Sequence, residues 1–393
     1  MLSDRVSRIA LSPTFRLNAM ARALRESGAD VLDFSVGEPD APTPRAAKQA
    51  GKDAIDRDLT RYTANEGTLA LRRAIAAKLQ RDNGLTYGTD EILVSPGAKA
   101  SLYCAMMALF SPGDEVLVPS PYWVSYPEQV RLTGAEPVFV AADERNGFKI
   151  TREGLARAIG PRTKGVVLNY PCNPTGACFD RDELTKLAEL IVARDLVVLA
   201  DEIYEKLLYD GRAFTSIAAL GAPIRERTVV VNGMSKAFAM TGWRLGYAAG
   251  PKAVIDAMAR VQSHSTSHPA SISQEAGLAA LTSAEDEVRA MVAQFARRRE
   301  VMVAGLRAIP GITLAAPAGA FYVFPNVSGV FGRAIGGRTI TSGQDLAEAL
   351  LEHARVVVVP GEAFGSPLHV RISFSCETSR IEEGLRRIRA LLA

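Results

Sequence analysis

Seven short apolar runs alternate with helical patterns between residues 91 and 249, and this alternation predicts an α/β fold. Apolar runs separated by helices are typical of a parallel sheet that is covered on both faces. From about residue 290 the pattern changes, which predicts a smaller α+β domain beside the first. We therefore expect a large domain with a mainly parallel seven-stranded sheet flanked by helices. The predicted strands are residues 91–95, 115–119, 136–140, 165–169, 196–200, 228–232 and 245–249.

The rest of the chain supplies the elements of the smaller domain. A long, charged, amphipathic helix begins near residue 290. The apolar segment 319–324, a glycine-rich insertion (329–343), a helix, residues 356–359 and a final helix follow. The segment through Val36 is too short to fold alone, so we expect it to pack with these C-terminal elements. The predicted divisions are residues 1–43 for this N-terminal segment, 44–288 for the large domain and 289–393 for the small domain.

Composition argues against several classes of protein. The 393 residues are 48% hydrophobic and 23% charged, which is ordinary for a soluble globular protein. No apolar run approaches the roughly 18 residues of a membrane helix, and the N-terminus lacks the apolar core of a signal peptide. The formal net charge of +3 is small and basic residues are mixed with acidic ones, so we expect neither a membrane nor nucleic acid as a partner. Four cysteines without C-x-x-C spacing indicate a reducing cytoplasm.

Two polar clusters have ordinary structural interpretations. His264 and His268 are four residues apart but have no acidic neighbour, so we expect no metal site. Arg297, Arg298 and Arg299 form a short basic run, which we interpret as the solvated face of a helix.

The segment NGMSKAFAMTGWRLGY (232–247) is the most informative part of the chain. Lys236 follows the apolar run 228–232, so it lies where a parallel strand ends, which is where α/β proteins place their active sites. A desolvated lysine beside another cation has a lowered pKa and can form a Schiff base. Arg244 could supply that cation, and its guanidinium fork also suits a phosphate. The motif alone is moderately specific, since a surface lysine before a helix is the commoner case.

Two further strand ends suit an anion and an aromatic ring. Residues 95–100 (SPGAKA) lead from a strand into a helix, where backbone N–H groups form an anion-binding cup. This turn is neither a Walker A loop nor a G-x-G-x-x-G loop, which argues against ATP and dinucleotides. Trp123 in PSPYW (119–123) could stack on a planar ring, or it could be a packed core residue.

Two more strand ends present an amide and a carboxylate. Asn173 lies in the proline-rich turn NYPCNPTG (169–176), where it could bind a ligand or simply hold the turn. Asp201 follows the apolar run LVVLA (196–200), where an unpaired charge is costly. Asp201 therefore needs a cationic partner, which could be a protonated ring nitrogen or a nearby lysine or arginine.

One cofactor, pyridoxal 5′-phosphate (PLP), uses all of these groups together. The order and spacing of the motifs resemble those of the PLP-dependent class I and II aminotransferases of fold type I, particularly a bacterial aspartate aminotransferase-like subgroup. The resemblance runs from about Ser12 to the C-terminus. It implies the PLP transferase type I fold and PLP as the cofactor.

The resemblance also implies a role for each motif residue. The catalytic residues would be Lys236, bonded to the cofactor's aldehyde, Asp201, paired with the pyridine N–H, and Tyr204. Tyr204 and Asn173 would bind the phenolic oxygen. The other implied cofactor contacts are Ala98 and Lys99 at the phosphate, largely through backbone N–H groups, Arg244 as its charged ligand, and Trp123 against the ring.

Substrate and partner roles follow from the same resemblance. Tyr62 would reach the phosphate of a neighbouring subunit, which implies a homodimer with shared active sites. The positions that bind the substrate's α-carboxylate are Gly37, Trp123, Asn173 and Arg371. Independently of the family, a guanidinium fork is a natural ligand for a planar carboxylate, although an arginine near a chain end is often a surface ion pair.

We expect the enzyme to move an amino group from an L-amino acid to a 2-oxo acid in two half-reactions, with Lys236 as general base and acid. We expect an enzyme of the aspartate/2-oxoglutarate type, with aromatic or other amino acids as alternative donors. Ser12 and Thr14 match the Ser-x-Thr segment of aspartate-type relatives, but Ala10 replaces a lysine of some relatives, and residues 101–110 contain no cation. The absence of the lysine at position 10 and of a cation in residues 101–110 argues against acidic substrates and prephenate. Gly233 also departs from the family, since many members have a phosphate-binding serine there, and Ser235 could compensate.

Two other functions share most of these residues. A PLP-dependent C–S β-lyase of the same fold needs the same groups for its common carbanion step. A non-catalytic PLP-binding regulatory domain is a third alternative, but such regulators carry a DNA-binding domain ahead of this fold, and only about 40 residues precede Gly37.

Overall fold

The computed structural model describes residues 3–9 and 15–393 of the chain. Ala10, Ser12 and Thr14, on which part of the substrate prediction depends, lie outside the described residues. The strands are β1 (Leu32–Asp33), β2 (Ile92–Ser95), β3 (Glu115–Ser120), β4 (Glu136–Ala141), β5 (Thr163–Asn169), β6 (Val197–Asp201), β7 (Thr228–Gly233), β8 (Gly246–Ala249), β9 (Tyr322–Val323), β10 (Ala334–Ile335), β11 (Arg338–Thr339), β12 (Val356–Val357), β13 (Val359–Pro360) and β14 (Val370–Ser373).

Helices cover both faces of the sheet and much of the second domain. They are α1 (Asp4–Ser7), α2 (Phe15–Glu26), α3 (Arg45–Asp56), α4 (Leu69–Asn83), α5 (Ala98–Leu109), α6 (Ser125–Thr133), α7 (Arg152–Ala158), α8 (Arg181–Ala193), α9 (Ala222–Arg225), α10 (Lys252–Ser263), α11 (Ser271–Ser283), α12 (Glu285–Arg307), α13 (Gly343–Ala349) and α14 (Thr378–Leu392).

The large domain is built on a mixed sheet in the order β2-β8-β7-β6-β5-β3-β4, which has seven strands in the described part of the chain. Strands β3, β4, β5, β6 and β7 all run parallel to one another. Strand β8 is antiparallel to both of its neighbours, β7 and β2. Each predicted strand lies within two residues of an observed one. The predicted α/β fold with a mainly parallel seven-stranded sheet is therefore confirmed.

The central strands are apolar because helices cover both of their faces. Every residue of β7 is buried, and β6 is buried from its second residue onward. Asn169 and Asp201 are register partners at the carboxyl ends of β5 and β6, and β7 ends at Gly233, three residues before Lys236. The sheet therefore brings Asp201 and Lys236 to the same edge, although they are far apart in sequence.

The C-terminal elements form small sheets that also involve the N-terminal segment. Strands β13, β14 and β9 pair in that order and run antiparallel, while β10 and β11 form a short hairpin inside the predicted glycine-rich insertion. Strand β1 pairs in parallel with β12, with Leu32 opposite Val356. Phe34 shares a core with Phe295 and Phe321. These contacts support the predicted packing of the N-terminal segment, while the three domain boundaries stay predictions.

The interpretation of Arg297–Arg299 as a solvated helix face is wrong for two of the three residues. Arg298 and Arg299 on α12 are buried. Arg298 donates two hydrogen bonds to the carboxylate of Asp40, and Arg299 donates two to the carboxylate of Asp210. Charge patterning along the helix cannot reveal such pairs, because both partners lie far away in sequence.

Neither a membrane span nor a metal cluster is found among the described residues. No helix within residues 3–9 and 15–393 combines the length and the apolarity needed to cross a bilayer. Across the same ranges, no three His, Cys, Asp or Glu side chains stand together in a way that could hold a metal ion. His268 instead accepts a hydrogen bond from the Thr63 N–H through Nε2 and donates one from Nδ1 to the Pro269 carbonyl.

Candidate active site

A cavity of about 490 Å³ opens at the carboxyl ends of β5, β6 and β7, between the sheet and the C-terminal elements. The N-terminal segment closes one side through Gly37, and β14 contributes Arg371 from another. The cavity brings together nearly all of the site residues that the sequence predicts. Those that line it are Gly37, Ala98, Lys99, Trp123, Asn173, Asp201, Tyr204, Lys236, Arg244 and Arg371.

Lys236 projects into this cavity just beyond the end of β7. Its Nζ donates a hydrogen bond to the carbonyl oxygen of Gly37. Burial, helped by the positive charge of Arg371, lowers the pKa of Lys236 to about 8. Arg244, to which the sequence argument assigned this effect, makes a smaller contribution than Arg371. Near neutral pH a minor fraction of Lys236 is therefore the free amine, which is the nucleophilic form, and this fraction is far larger than that of an exposed lysine.

Asp201, the last residue of β6, is buried at the floor of the cavity. Its Oδ2 accepts a hydrogen bond of 2.7 Å from the Tyr126 hydroxyl, and its Oδ1 accepts one of 3.3 Å from the Ile203 N–H. Burial raises the pKa of Asp201 to about 6, and the bond from Tyr126 limits this rise. Among the described residues, its hydrogen bonds thus come from neutral donors rather than from a lysine or arginine. The carboxylate remains suited to a cationic N–H of a ligand.

Arg371 is held on several sides in the wall opposite Lys236. Its Nη1 donates to Asn173 Oδ1 at 2.9 Å, and its Nη2 donates to the Ser35 carbonyl at 2.7 Å. Its guanidinium carbon lies 4.5 Å from the ring centroid of Tyr322. Its buried Nε has no hydrogen-bond partner in the described part of the chain. The guanidinium lines the cavity, and a planar carboxylate fits its fork.

Tyr204 lies beside the same wall of the cavity. Its hydroxyl is 3.0 Å from the hydroxyl of Tyr322, and its ring centroid lies 5.9 Å from Lys236 Nζ. Burial raises the pKa of Tyr204 well above its ordinary value, so the phenol stays protonated and can donate a hydrogen bond.

The cup that the sequence predicts is formed by Gly97 and the first turn of α5. Gly97 has φ of 88°, which favours glycine, and a Cβ built there would lie 2.5 Å from Nη2 of Arg244. The backbone N–H groups of Ala98 and Lys99 begin the helix, so they have no acceptor within it. Arg244 itself has φ of 52° and is fixed by a 2.8 Å hydrogen bond from Nη1 to the Thr241 carbonyl. An anion at this helix end would meet both the helix dipole and a guanidinium.

The local backbone explains the glycine at position 233. A Cβ on Gly233 would lie 2.8 Å from the Cα of Gly246 and 2.9 Å from the Leu245 carbonyl oxygen. No side chain fits this close approach of β7 and β8 without a backbone shift. Ser235, which the sequence suggests as a compensating residue, does line the cavity.

Trp123 and Lys99 face each other across the top of the cavity. Trp123 packs edge-on against Tyr126, with ring centroids 5.2 Å apart, but it also lines the cavity, so it is more than a core residue. Lys99 Nζ lies 4.9 Å from the Trp123 ring centroid. Burial and the charge of Arg244 lower the pKa of Lys99. Lys99 forms no ion pair with a carboxylate of the described residues, so its ammonium group is free to bind a ligand.

A family model described as "Aminotransferase class I and II" matches residues 29–388 of the chain. The chain belongs to this family. It is therefore a transaminase, which moves an amino group from an amino acid to a 2-oxo acid, as the sequence motifs predict. The match covers both the large domain and the C-terminal elements that surround the cavity.

Known aspartate aminotransferases are similar to this aminotransferase over nearly their full length. It is 45% identical over 390 residues to the aspartate aminotransferase of Rhizobium meliloti (strain 1021), across 99% of this chain and 95% of that protein. The crystal structure of the aspartate aminotransferase from Rhizobium meliloti superposes with a TM-score of 0.97 at 44% identity, covering 100% and 98% of the two chains. The Thermus thermophilus aspartate aminotransferase with maleate gives a TM-score of 0.92 at 42% identity, covering 100% of both.

Sequence reasoning missed several residues that line the cavity. Tyr126 binds the carboxylate of Asp201, Tyr322 contacts both Tyr204 and Arg371, and Ser35 accepts from Arg371. Only Tyr126 carries a signal, since it lies three residues after Trp123 at the start of a helix. Conversely, Tyr62 does not line this cavity, and it is 92% exposed.

Proposed function

We propose that this aminotransferase uses PLP and transfers the amino group of aspartate to 2-oxoglutarate. The observation that carries the proposal is that one cavity holds a buried lysine, a buried carboxylate and an anion cup. Lys236, Asp201 and the turn at Gly97 supply the three groups that an aldehyde, a pyridine N–H and a phosphate need. The Arg371 guanidinium in the cavity wall and the Arg244 guanidinium beside the turn at Gly97 also fit a ligand with anionic groups.

In this proposal each residue of the chain has a defined task. When bound, PLP supplies an aldehyde for the amine and a ring that takes up the electron pair of the broken Cα–H bond. Arg371 binds the α-carboxylate of the substrate and, with Asn173, orients its Cα–H toward Lys236. Lys236 Nζ, whose pKa is about 8, takes the proton from Cα and later returns one. Asp201 holds the proton on the ring nitrogen, and Tyr204 donates to the phenolic oxygen.

A dicarboxylic substrate is supported by Lys99. Residues 101–110 contain no cation, but Lys99, two residues earlier on α5, places its ammonium group in the cavity beside Trp123. A carboxylate on the substrate side chain could pair with it. The relative from Thermus thermophilus is described with maleate, which is a dicarboxylate.

A homodimer and a cytoplasmic location belong to the same proposal. Tyr62 is exposed and lies apart from the cavity of its own chain. Large apolar side chains are also exposed nearby in the chain, namely Ile55 on α3, Leu69 on α4 and Leu59 between these helices. Such side chains favour burial against a second subunit. All four cysteines are free thiols, which is in keeping with a reducing cytoplasm.

A half-reaction survey tests the proposal. Purified protein is loaded with PLP, and the change in its absorbance is followed as each amino acid is added without an acceptor. We expect the largest changes with aspartate and glutamate, release of the matching 2-oxo acid, and loss of both signals in Lys236→Ala. Substantial transamination by Lys236→Ala would overturn the assignment. Pyruvate and ammonia released from cystathionine without a 2-oxo acid would instead favour the β-lyase.

A further inference from the structure

The backbone of residues 35–40, which we call the strap, faces two of the most important side chains of the cavity. The Ser35 carbonyl accepts a hydrogen bond of 2.7 Å from Arg371 Nη2, and the Gly37 carbonyl accepts one from Lys236 Nζ. Both carbonyls belong to the main chain, so their positions follow the position of the strap. Any shift of the strap therefore moves the acceptors of the carboxylate-binding arginine and of the proton-transferring lysine.

The strap follows β1 and contains no helix or strand of its own, so side-chain contacts must hold it in place. Glu38 is bound twice: its carboxylate accepts a 2.7 Å bond from the Thr241 hydroxyl, and its carbonyl accepts one from the Ser375 hydroxyl. The Thr241 carbonyl in turn accepts the bond from Arg244. The strap is thus connected both to the loop of the anion cup and to the C-terminal elements.

The end of the strap is fixed by a charged pair. Arg298 on α12 donates from Nη1 and Nη2 to the two carboxylate oxygens of Asp40, at 2.7 and 2.8 Å. The side chain of Arg298 is 2% exposed, and that of Asp40 is 30% exposed. A two-point contact between planar groups fixes orientation as well as distance. Helix α12 also packs in the core with Phe34, so it offers a rigid base for this contact.

The chain contains a matched pair that does not touch the strap. Arg299, the next residue on α12, donates two bonds of 3.0 and 2.7 Å to the carboxylate of Asp210. The chemistry and the helix are the same, but Asp210 lies in the loop after Tyr204 and outside the cavity lining. The two pairs therefore separate the general effect of losing a buried ion pair from the effect of releasing the strap.

We propose that Arg298 is a positioning residue for amino transfer, which pairs with Asp40 to hold the strap so that the Ser35 and Gly37 carbonyls face Arg371 and Lys236. The inference rests on the proposed roles of Arg371 and Lys236. Arg298 itself does not line the cavity and acts only through the strap. Arg298 therefore affects catalysis by setting the positions of these two carbonyl groups.

The conservative substitution Arg298→Lys tests this role, with Arg299→Lys as the control. Lysine keeps the charge but cannot make the two-point contact. Because misplacing reacting groups by about 1 Å can cost about 100-fold in rate, we expect kcat/KM of Arg298→Lys to fall on the order of 10- to 100-fold, with KM for the amino acid raised as well as kcat lowered. Arg299→Lys should stay within about threefold of the wild type.

Hydrogen exchange of the protein without cofactor gives a second readout that does not depend on turnover. The amide hydrogens of residues 35–38 and of Asp40 should exchange faster in Arg298→Lys than in Arg299→Lys or the wild type; Pro39 has none. Asp40→Asn, compared with Asp210→Asn, repeats both measurements from the other side of each pair, in case Arg298→Lys does not fold.

Two results would overturn the inference. One is an equal change in kcat/KM for the two arginine variants, and the other is unchanged exchange in the strap of Arg298→Lys. A wild-type protein that neither binds PLP nor transfers amino groups would instead overturn the proposed function. In that case the exchange measurement would still decide whether Arg298 holds the strap.

Discussion

Lys236 and Asp201 carry opposite charges in water, yet burial pushes both toward their neutral forms. The pKa of Lys236 falls to about 8 and that of Asp201 rises to about 6, in each case chiefly because the side chain is removed from water. Groups whose pKa values lie near neutrality exchange protons readily, which suits general acid–base chemistry. The same residues in exposed positions would be fixed in their charged forms.

In the proposed function, the single side chain of Lys99 pairs with the distal carboxylate of the substrate. We expect Lys99→Met to lower kcat/KM for aspartate by about 10- to 100-fold, because a charge-assisted hydrogen bond contributes about 1.5–3 kcal/mol. The backbone N–H of residue 99 remains, so the anion cup is retained. Steady-state kinetics at saturating PLP with aspartate and with alanine measure the effect.

Alanine is the control substrate for this prediction, since it has no distal carboxylate. Its kcat/KM should change by less than about threefold in Lys99→Met, and Lys52→Met, an exposed lysine of α3, should change neither substrate. A parallel loss for both amino acids would mean that Lys99 acts on the cofactor rather than on the side chain of the substrate.

At the scale of elements, β6 places two acidic residues in succession with different surroundings. Asp201 ends the strand inside the cavity, whereas Glu202 follows it into the core, where its Oε1 accepts a 2.7 Å hydrogen bond from the Ser216 hydroxyl. Its Oε2 has no partner among the described residues. Burial raises the pKa of Glu202 to about 8, so its carboxyl group holds a proton at neutral pH.

Glu202 should therefore make the stability of the cofactor-free protein depend on pH. Below about pH 4.5 the Glu202 carboxyl is protonated in both the folded and the unfolded state, and its contribution to the free energy of unfolding is fully present. Between pH 4.5 and about 8 only the folded state keeps the proton, so the free energy of unfolding falls as pH rises, by about 1.4 kcal/mol per pH unit. Glu202→Gln should remove this contribution and flatten the profile in urea unfolding measured from pH 5 to 8.

Asp201 also makes the free energy of unfolding fall as pH rises, but at lower pH, because its pKa rises only to about 6. This contribution is the same in the wild type and in Glu202→Gln. The control is Glu382→Gln, which changes an exposed carboxyl on α14 and should leave the profile as in the wild type. Equal slopes for Glu202→Gln and the wild type between pH 6 and 8 would contradict the prediction.

At the scale of the whole molecule, the site depends on contacts between distant parts of the chain. The N-terminal strap, the sheet of the large domain and β14 each contribute a wall of the cavity. Tyr62, in contrast, faces away from it and lies edge-on against His268, with ring centroids 5.6 Å apart. In the proposed homodimer its hydroxyl belongs to the site of the other subunit.

Complementation between inactive subunits tests this arrangement. Tyr62→Ala should weaken PLP binding about tenfold through loss of one hydrogen bond to the phosphate, and Lys236→Ala should be inactive. Mixed dimers hold one site with an intact lysine and an intact tyrosine. At limiting PLP, random mixing should therefore restore about a quarter of the wild-type activity.

The double variant Tyr62→Ala/Lys236→Ala provides the control for mixing. Combined with Tyr62→Ala it forms no complete site, so the activity per Tyr62→Ala subunit should stay at the level of Tyr62→Ala alone. If the mixture of the two single variants gives only the average of their separate activities, Tyr62 does not serve a neighbouring subunit.

Much of the large domain could be predicted because its strands are apolar from end to end. The run TVVVN (228–232) has no polar face, and burial between two helical layers is the structure that such a run favours. Strand ends with Asp201, Asn173 and Lys236 then indicated the site, because parallel strands share their carboxyl edge. The burial of Arg298 and Arg299 could not be predicted, since it depends on carboxylates 258 and 89 residues away in sequence.

Local patterns in the chain thus specify the sheet, the order of its loops and the chemical types that meet at its edge, because strand burial and turn geometry depend on near neighbours. Long-range packing specifies the rest. It decides that Arg371 rather than Arg244 has the larger effect on Lys236, that Tyr126 binds Asp201, and that Lys99 extends beside Trp123. Electrostatic interactions and burial depend on distance in space, which the spacing of residues along a chain does not record.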